Sequence, residues 1–165
     1  MLGGLFNPFG LGPKSNTLLS PLAGKVIPLS EVNDPTFANG LLGQGVAIEP
    51  TGSKVVAPAD SKVESIFPTG HAVALHTDNG FDVLIHIGLD TQALDGKYFT
   101  VHAEAGQEVK QGDTLIEFDC AAIEGAGYDV TAPIIICNSV EFASIKGKIG
   151  QEVLELDELI TVRER

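Results

Sequence analysis

Short apolar segments recur along the chain and are separated by turns rich in glycine, proline, asparagine and aspartate. Short strands at even spacing, joined by such turns, are typical of an all-β sandwich or barrel. No long stretch has the 3.6-residue period of an amphipathic helix, so helices are predicted only as short turns at 31–41 and 119–126. We therefore predict an all-β fold, an antiparallel β-sandwich or barrel-like domain with short helical turns. The predicted strands cover residues 24–29, 45–50, 54–58, 62–67, 72–77, 81–87, 114–118, 134–136 and 159–162.

Residues 1–16 differ in composition from the rest of the chain. They are rich in glycine, leucine, phenylalanine, proline and asparagine and carry one charge, Lys14. Glycine and proline disfavour a stable helix, so we expect a flexible N-terminal tail over 1–16 and one folded domain over 17–165. Contact of the tail with a membrane or a partner is the weaker alternative, because an interfacial helix normally has a face rich in Lys and Arg.

Acidic residues outnumber basic ones: ten Lys and Arg against 22 Asp and Glu give a formal net charge of −12. This balance argues against a nucleic-acid partner, since phosphate backbones require basic patches, and it favours a partner with a basic docking face. The N-terminus lacks the early basic residues of a secretory signal, and no apolar run is long enough to span a membrane. Cys120 and Cys137 are too few for a disulfide framework and are expected to be buried thiols in a reducing compartment. A cytoplasmic protein is therefore expected.

The strongest hairpin signal in the chain is Asn79-Gly80, between two apolar segments. A two-residue loop at this dipeptide would pair Val73 with His86 and would place His71 opposite Gly88. Because side chains alternate along a strand, His71 and His86 would then be diagonal neighbours on one face, and Gly88 would leave space beside them. A three-residue loop would reverse this assignment of faces.

Two imidazoles on one face of an apolar hairpin suggest two kinds of chemistry. The first is a metal site, which needs a third ligand. The second is phosphoryl transfer, in which a neutral imidazole nitrogen of one ring is the nucleophile and the other ring donates to the phosphate. In the two-residue register His76 lies on the opposite face. His102 lies outside the hairpin and is expected to have a surface or structural role. Asp90 follows His86 by four residues and is expected at the rim of the site or in a turn.

Two motifs surround these histidines: TGHA at 69–72 and LIHIGLDT at 84–91. Further stretches follow in a characteristic order: SPLAG at 20–24, GVAIEPTG at 45–52, VAPAD at 56–60 and GQEVKQGDTLIEFD at 106–119. Together they resemble the glucose-type enzyme IIA of the bacterial phosphoenolpyruvate-dependent sugar phosphotransferase system, over essentially the whole domain.

The resemblance implies an antiparallel β-sandwich with a shallow active-site depression and the activity of a phosphotransferase component. His86 matches the histidine whose Nε2 accepts a phosphoryl group from the histidine-containing phosphocarrier protein. His71 matches the auxiliary histidine that hydrogen-bonds the phosphate, and Thr69 the hydroxyl that orients His71. The phosphoryl group then passes to a cysteine on the IIB domain of a glucose-type sugar permease. No cofactor is required for these steps.

The resemblance also implies a partner-binding rim around the depression. Two acids, Asp34 and Asp90, match rim residues that pair with a basic residue on partners. In the family, such proteins also regulate other permeases or kinases, and in some of those complexes the two histidines hold a zinc ion at the interface. The apolar rim positions are Phe37, Leu41, Leu42, Phe67 and Leu84.

Three other functions are alternatives to the phosphocarrier. A zinc hydrolase on a β-fold, using His71 and His86, needs a third ligand from this chain, and no His-x-His or His-Glu-x-x-His pattern is present. A biotinyl or lipoyl carrier needs a modifiable lysine in a characteristic hairpin tip, which the hairpin-like stretch 106–113 lacks. A binding module without chemistry is the third.

The sugar is expected to be chosen by the permease, which leaves it undetermined by this sequence.

Overall fold

The structure, a computed structural model, describes residues 16–165. The predicted flexible tail, and its contact with a membrane or partner, fall on 1–15 and so lie outside the described residues. Asn16, the last residue of that predicted tail, already belongs to the fold, because its carbonyl accepts a hydrogen bond from the Val162 N–H at 2.8 Å. Among residues 16–165, no helix is both long enough and apolar enough to cross a membrane.

Strands dominate the described part of the chain, which confirms the all-β prediction. Two short helices, α1 (Pro35–Ala38) and α2 (Cys120–Gly125), and 3-10 turns at Leu29–Glu31, Thr91–Leu94 and Ser139–Glu141 lie between them. The strands are β1 (Thr17–Leu19), β2 (Gly24–Pro28), β3 (Gln44–Pro50), β4 (Lys54–Val56), β5 (Ser61–Ile66), β6 (Ala72–Thr77), β7 (Asp82–His86), β8 (Phe99–Val101), β9 (Glu108–Val109), β10 (Thr114–Phe118), β11 (Ala132–Ile136), β12 (Phe142–Gly147), β13 (Glu152–Val153) and β14 (Glu158–Glu164).

These strands form three antiparallel sheets in the described residues. The largest has the order β13-β2-β3-β11-β7-β6-β5-β9, and the two small sheets have the orders β1-β14-β12 and β4-β10-β8. Side chains from all three sheets meet in one main core, which includes Leu18 of β1, Ile116 of β10 and Ile85 of β7. The large sheet therefore has one face on this core and a second face turned away from it.

A smaller apolar cluster covers part of the second face of the large sheet. Ile135 belongs to this cluster, whereas its neighbours Ile134 and Ile136 belong to the main core. Because successive side chains of a strand point to opposite faces, β11 is buried on both sides. Phe37 of α1 packs into the smaller cluster together with Ala47 of β3. The helix α1 is thus anchored on the outer face of the large sheet.

The two predicted helical regions are shorter in the structure than in the sequence prediction. Asp34 and Asp119 cap α1 and α2 by accepting the N–H groups of Thr36 and Ala122, each at 3.0 Å. The strands that the prediction missed are short or have weak alternation, and they depend on pairing with distant segments. They are β1, β8, β9, β12 and β13.

The predicted burial of both cysteines is wrong for Cys137, which is exposed, while Cys120 is half-buried. Cys137 directly follows β11, where its N–H donates to the Asp82 carbonyl at 2.7 Å. The apolar residues before it suggested a continued buried strand, but β11 ends at Ile136 and the chain turns outward. Both thiols are free in the structure.

The predicted two-residue loop between β6 and β7 is wrong by one residue. Thr77 and Phe81 are the closing pair, with the Thr77 N–H donating to the Phe81 carbonyl at 2.9 Å, so the loop is Asp78–Gly80. Ala72, rather than Val73, lies opposite His86. A three-residue loop of this kind is a type I turn followed by a left-handed residue, here Gly80 with φ of 94°.

The corrected register reverses the assignment of faces. Val73 points into the main core, and His76 lies on the same outer face as His86, because it stands opposite Asp82. His76 Nδ1 and Asp82 Oδ1 are 2.6 Å apart in an exposed pair on that face.

Candidate functional site

His86 is the last residue of β7 and projects from the outer face of the large sheet. Val83 and Ile85 are buried in the main core, whereas Leu84 and His86 are only partly buried. The alternation of the strand therefore delivers the imidazole to the outer face, beside the smaller apolar cluster that contains Leu84 and Phe37. The Phe37 and His86 ring centroids are 5.1 Å apart.

His71 reaches the same place from the connection between β5 and β6. Phe67 to Gly70 form a tight turn, closed by a hydrogen bond from the Gly70 N–H to the Phe67 carbonyl at 2.8 Å. Pro68 and Gly70 stand at the second and fourth positions of this turn, where a type I turn favours them. His71 follows immediately, and its carbonyl accepts the Ile87 N–H at 2.7 Å. This hydrogen bond joins the backbone of His71 to the residue that follows His86.

The two imidazole rings are in contact. Their centroids are 5.3 Å apart and the ring planes meet at 73°. The sequence predicted this closeness from an incorrect register. In the structure it arises because His71 lies just outside β6, next to Ala72, which is the residue that pairs with His86.

Each ring has a hydrogen bond at Nδ1. His86 Nδ1 lies 2.7 Å from the Gly88 carbonyl, and His71 Nδ1 lies 2.7 Å from Thr69 Oγ1. A carbonyl oxygen only accepts, so His86 carries a proton on Nδ1, and Nε2 is the basic nitrogen of its neutral ring. A hydroxyl can donate or accept, so Thr69 is compatible with either neutral form of His71.

Burial favours the neutral form of both histidines. The pKa of His86 is lowered from its ordinary value of 6.5 mainly by burial, against which the Gly88 hydrogen bond and the charges of Asp34 and Asp90 act. Burial also lowers the pKa of His71, and the neighbouring His86 lowers it further. A neutral imidazole has a free lone pair, which is the nucleophilic form of this side chain.

Apolar side chains border the two rings. The Phe67 ring stacks on His71, with centroids 4.8 Å apart and planes within 3° of parallel, and half of its surface is exposed. Leu41 and Leu42, in the turn that follows α1, are exposed at 72% and 41%. Of the five apolar residues predicted for the rim, Phe37 and Phe67 touch the histidines and Leu84 precedes His86 on its face. Leu41 and Leu42 come after Phe37 in the chain, in the turn that follows α1.

Two carboxylates act on His86 from different elements. Asp34 caps the start of α1, and Asp90 begins the 3-10 turn Thr91–Leu94 with a left-handed backbone, φ of 59°. Both raise the pKa of His86, which means that both carboxylates are close enough to favour a positive charge on that ring. The structure thus brings both predicted rim acids near His86.

The sequence prediction missed what surrounds Gly88. It assigned open space there, but a Cβ on Gly88 would lie 2.5 Å from Thr91 Cγ2 and 2.9 Å from the Asp129 carbonyl oxygen. The space is therefore already filled. Gly88 acts in the site through its carbonyl, a backbone contact that no side-chain pattern reveals. The one signal in the sequence was the glycine itself, since a glycine after a strand often marks a turn, and in the structure Gly88 has a positive φ of 78°.

The histidines alone do not form a complete metal site. Among residues 16–165, no group of three or more His, Cys, Asp or Glu side chains is arranged to hold a metal ion. His71 and His86 would supply two ligands, and a zinc ion needs about four. The arrangement gives no support to the zinc hydrolase alternative, and an interfacial zinc ion would need ligands from another molecule.

Comparison with known proteins places this site in a family. The family model for the phosphoenolpyruvate-dependent sugar phosphotransferase system, EIIA 1, matches residues 16–142. The PTS system beta-glucoside-specific EIIBCA component of Dickeya chrysanthemi is 51% identical over 133 residues, which is 81% of this chain and 21% of that protein. The PTS system glucose-specific EIIA component of Oceanobacillus iheyensis is 43% identical over 134 residues, 81% of each chain.

A solved structure agrees with these relatives. The glucose permease IIA from Mycoplasma capricolum is 36% identical and superposes with a TM-score of 0.79, covering 87% of this chain and 93% of the other. This chain spans only 21% of the length of the Dickeya EIIBCA component, but 81% of the length of the shorter Oceanobacillus EIIA component. The resemblance predicted from the motifs is confirmed: the chain belongs to the EIIA 1 family of the phosphoenolpyruvate-dependent sugar phosphotransferase system.

Proposed function

We propose that this chain is a phosphocarrier in which His86 Nε2 receives a phosphoryl group and passes it on. The observation that carries the proposal is the hydrogen bond from His86 Nδ1 to the Gly88 carbonyl at 2.7 Å. It fixes the proton on Nδ1 and leaves the Nε2 lone pair free for attack. The donor in this proposal is the histidine-containing phosphocarrier protein, and the acceptor is the cysteine of a IIB domain.

The transfer step balances without a metal or cofactor. The His86 Nε2–P bond forms as the N–P bond of the donor's phosphohistidine breaks, and the electron pair of that bond returns to the donor imidazole. His86 keeps its Nδ1 proton, so its ring becomes positively charged. The Gly88 carbonyl, together with Asp34 and Asp90, stabilises that charge. In the onward step the S–P bond to a IIB thiolate forms as the His86 Nε2–P bond breaks, and the electron pair of that bond returns to His86 and regenerates its neutral ring.

His71 is proposed to bind the phosphoryl oxygens. If the Thr69 hydroxyl donates to His71 Nδ1, the His71 proton is on Nε2, where it can donate to a phosphoryl group on His86. The contact between the two rings, with centroids 5.3 Å apart, supports this role. The Phe67 ring stacked on His71 restricts its rotation, so the donor is held in place before the phosphoryl group arrives.

The surroundings of the site support docking of a partner protein. Phe67 is exposed and stacks on His71, Leu41 and Leu42 are exposed in the turn that follows α1, and the charges of Asp34 and Asp90 act on His86. This combination fits a partner surface with an apolar centre and a basic residue, consistent with the net charge of −12. A cytoplasmic location is part of this proposal.

The sugar is proposed to depend on the permease. Similar proteins are named for beta-glucoside, mannose and glucose, although all share this domain. A glucose-type permease remains the proposed destination of the phosphoryl group. Regulation of other permeases or kinases by the same surface is a further part of the proposal.

The decisive experiment is intact-mass analysis after incubation with phosphoenolpyruvate, enzyme I and the histidine-containing phosphocarrier protein. We expect wild type to gain one acid-labile phosphoryl group and His86→Ala to gain none. His76→Ala is the matched control, because it removes an exposed histidine from the same face of the sheet. Full phosphoryl uptake by His86→Ala, or none by folded wild type, would contradict the proposal.

A second variant separates acceptance from onward transfer. His71→Gln keeps one hydrogen-bond donor but cannot take up a proton, so it should accept the phosphoryl group and pass it poorly to a IIB domain. The rate of loss of the phosphoryl group to IIB, followed by mass, tests this. An unchanged rate would mean that His71 is only structural.

A further inference from the structure

Thr91 is a fully buried polar residue with no role yet assigned in the site. It is the first residue of the 3-10 turn Thr91–Leu94 and has no exposed surface. Its hydroxyl donates to the Ile87 carbonyl, four residues back. A buried hydroxyl is costly unless it is hydrogen-bonded, so this contact fixes the position of the turn relative to the end of β7.

The backbone N–H and carbonyl groups of Ile87 are hydrogen-bonded to different parts of the site. Its N–H donates to the His71 carbonyl at 2.7 Å, and its carbonyl accepts the Thr91 hydroxyl. Because the Ile87 carbonyl belongs to the peptide plane shared with Gly88, the Thr91 hydrogen bond sets the orientation of that plane. The next carbonyl along the chain, that of Gly88, accepts His86 Nδ1.

The methyl group of Thr91 also restrains Gly88. Together with the Asp129 carbonyl, it occupies the space that a Gly88 side chain would need. Leu89 is held as well, because its N–H donates to the same Asp129 carbonyl at 2.9 Å. Gly88 therefore has little freedom to rotate its carbonyl away from His86.

We propose that Thr91 is a positioning residue for His86: its hydroxyl, through the Ile87–Gly88 peptide, keeps the Gly88 carbonyl on Nδ1 and so selects the Nδ1–H form of the ring. Nε2 is then the free nitrogen whether or not a donor is bound. The consequence for phosphoryl uptake rests on the proposed function, whereas the consequence for the ring does not.

The test is the ¹⁵N NMR spectrum of the His86 ring, recorded without a phosphoryl donor at a pH where the imidazole is neutral. The chemical shifts of the two ring nitrogens identify which one carries the proton. Wild type should show the Nδ1–H form. Thr91→Val keeps both branches of the side chain but has no donor, and it should show a mixture of the two forms. Its rate of phosphoryl uptake should fall by up to about a hundredfold, the scale expected when a reacting group is misplaced by about 1 Å.

Thr77→Val is the matched control. Thr77 is equally buried, its hydroxyl donates to Asn79 Oδ1 at 2.6 Å, and it lies at the opposite end of the β6–β7 hairpin. Thr77→Val should lower stability but leave the His86 ring in the Nδ1–H form. Thr91→Ser keeps the hydroxyl and should also retain that form, which decides the matter if Thr91→Val does not fold.

Three results would overturn the proposal. They are an Nε2–H ring in wild type, an unchanged ring in folded Thr91→Val, and a ring in Thr91→Ser that shifts despite the retained hydroxyl. Failure of the proposed function would look different, because wild type would then take up no phosphoryl group while the spectra still reported the effect of Thr91.

Discussion

Replacing Gly88 by alanine should destabilise the protein more than the same change in the β6–β7 loop. Gly88 and Gly80 both have left-handed backbones, with φ of 78° and 94°. An alanine in that conformation costs about 1–2 kcal/mol at either position. At Gly88 the new Cβ would also lie 2.5 Å from Thr91 Cγ2 and 2.9 Å from the Asp129 carbonyl oxygen, whereas at Gly80 nothing lies within 4 Å.

The extra contact sets the expected difference between the two variants. Forcing a methyl group into a packed site costs about 1–3 kcal/mol. Gly88→Ala should therefore lose about 1–3 kcal/mol more than Gly80→Ala in free energy of unfolding. For a chain of this length that corresponds to a gap of about 2–12 °C in melting temperature, since each kcal/mol shifts it by about 2–4 °C.

The assay is urea unfolding of wild type and both variants, followed by circular dichroism, with thermal melts in parallel. Gly80→Ala subtracts the cost of the left-handed backbone, so the remaining difference reports the contact at Gly88. Equal losses in the two variants would show that Thr91 and the Asp129 backbone move aside cheaply. The close packing around the Gly88 carbonyl would then be refuted as a restraint on His86.

Two further predictions concern charge around the histidines. Since the folded-state pKa values of His71 and His86 lie below 6.5, the unfolded chain binds more protons just below that pH. The free energy of unfolding should fall as pH drops from 6.5 through the window down to the folded pKa values, and urea titrations should show a smaller fall in a variant lacking both histidines. Asp34→Asn and Asp90→Asn should each lower the pKa of His86 further in an NMR titration, because each removes a negative charge that favours the protonated ring. Asp95→Asn is the control, since Asp95 lies at the other end of the 3-10 turn that Asp90 begins, and it should leave the pKa of His86 unchanged. Equal shifts in all three variants would contradict the role given to Asp34 and Asp90.

The fold class and most strands follow from local sequence pattern. The predicted and observed limits agree for β6 (Ala72–Thr77) and β10 (Thr114–Phe118). Alternation and turn residues are properties of neighbouring positions, so they are visible in one chain without knowledge of its partners. The motifs around His71 and His86, together with the four further stretches that follow in order, were also sufficient to identify the family.

Local sequence pattern did not give the correct register of the β6–β7 hairpin. The sequence Asn79-Gly80 suits a two-residue loop, but Asn138, which follows β11, contacts the last residue of the actual loop and the first residue of β7. Its side chain donates to the Gly80 carbonyl at 2.9 Å and accepts the Asp82 N–H at 3.0 Å. A contact between residues so far apart in the chain overrides the local preference of the turn.

In the site, too, some features follow from the sequence and others only from the tertiary structure. The sequence determined which imidazoles are present and that they lie close together, because both belong to motifs at the ends of neighbouring strands. The resemblance implied that Nε2 is the reacting nitrogen of His86, but only the tertiary structure explains why that nitrogen is free, because this depends on the Gly88 carbonyl and on the buried hydroxyl of Thr91. The position of Phe37 against His86 was likewise decided by the packing of α1 on the outer face of the large sheet. Backbone orientation and packing between distant segments are set by the whole fold, and no local pattern of residues encodes them.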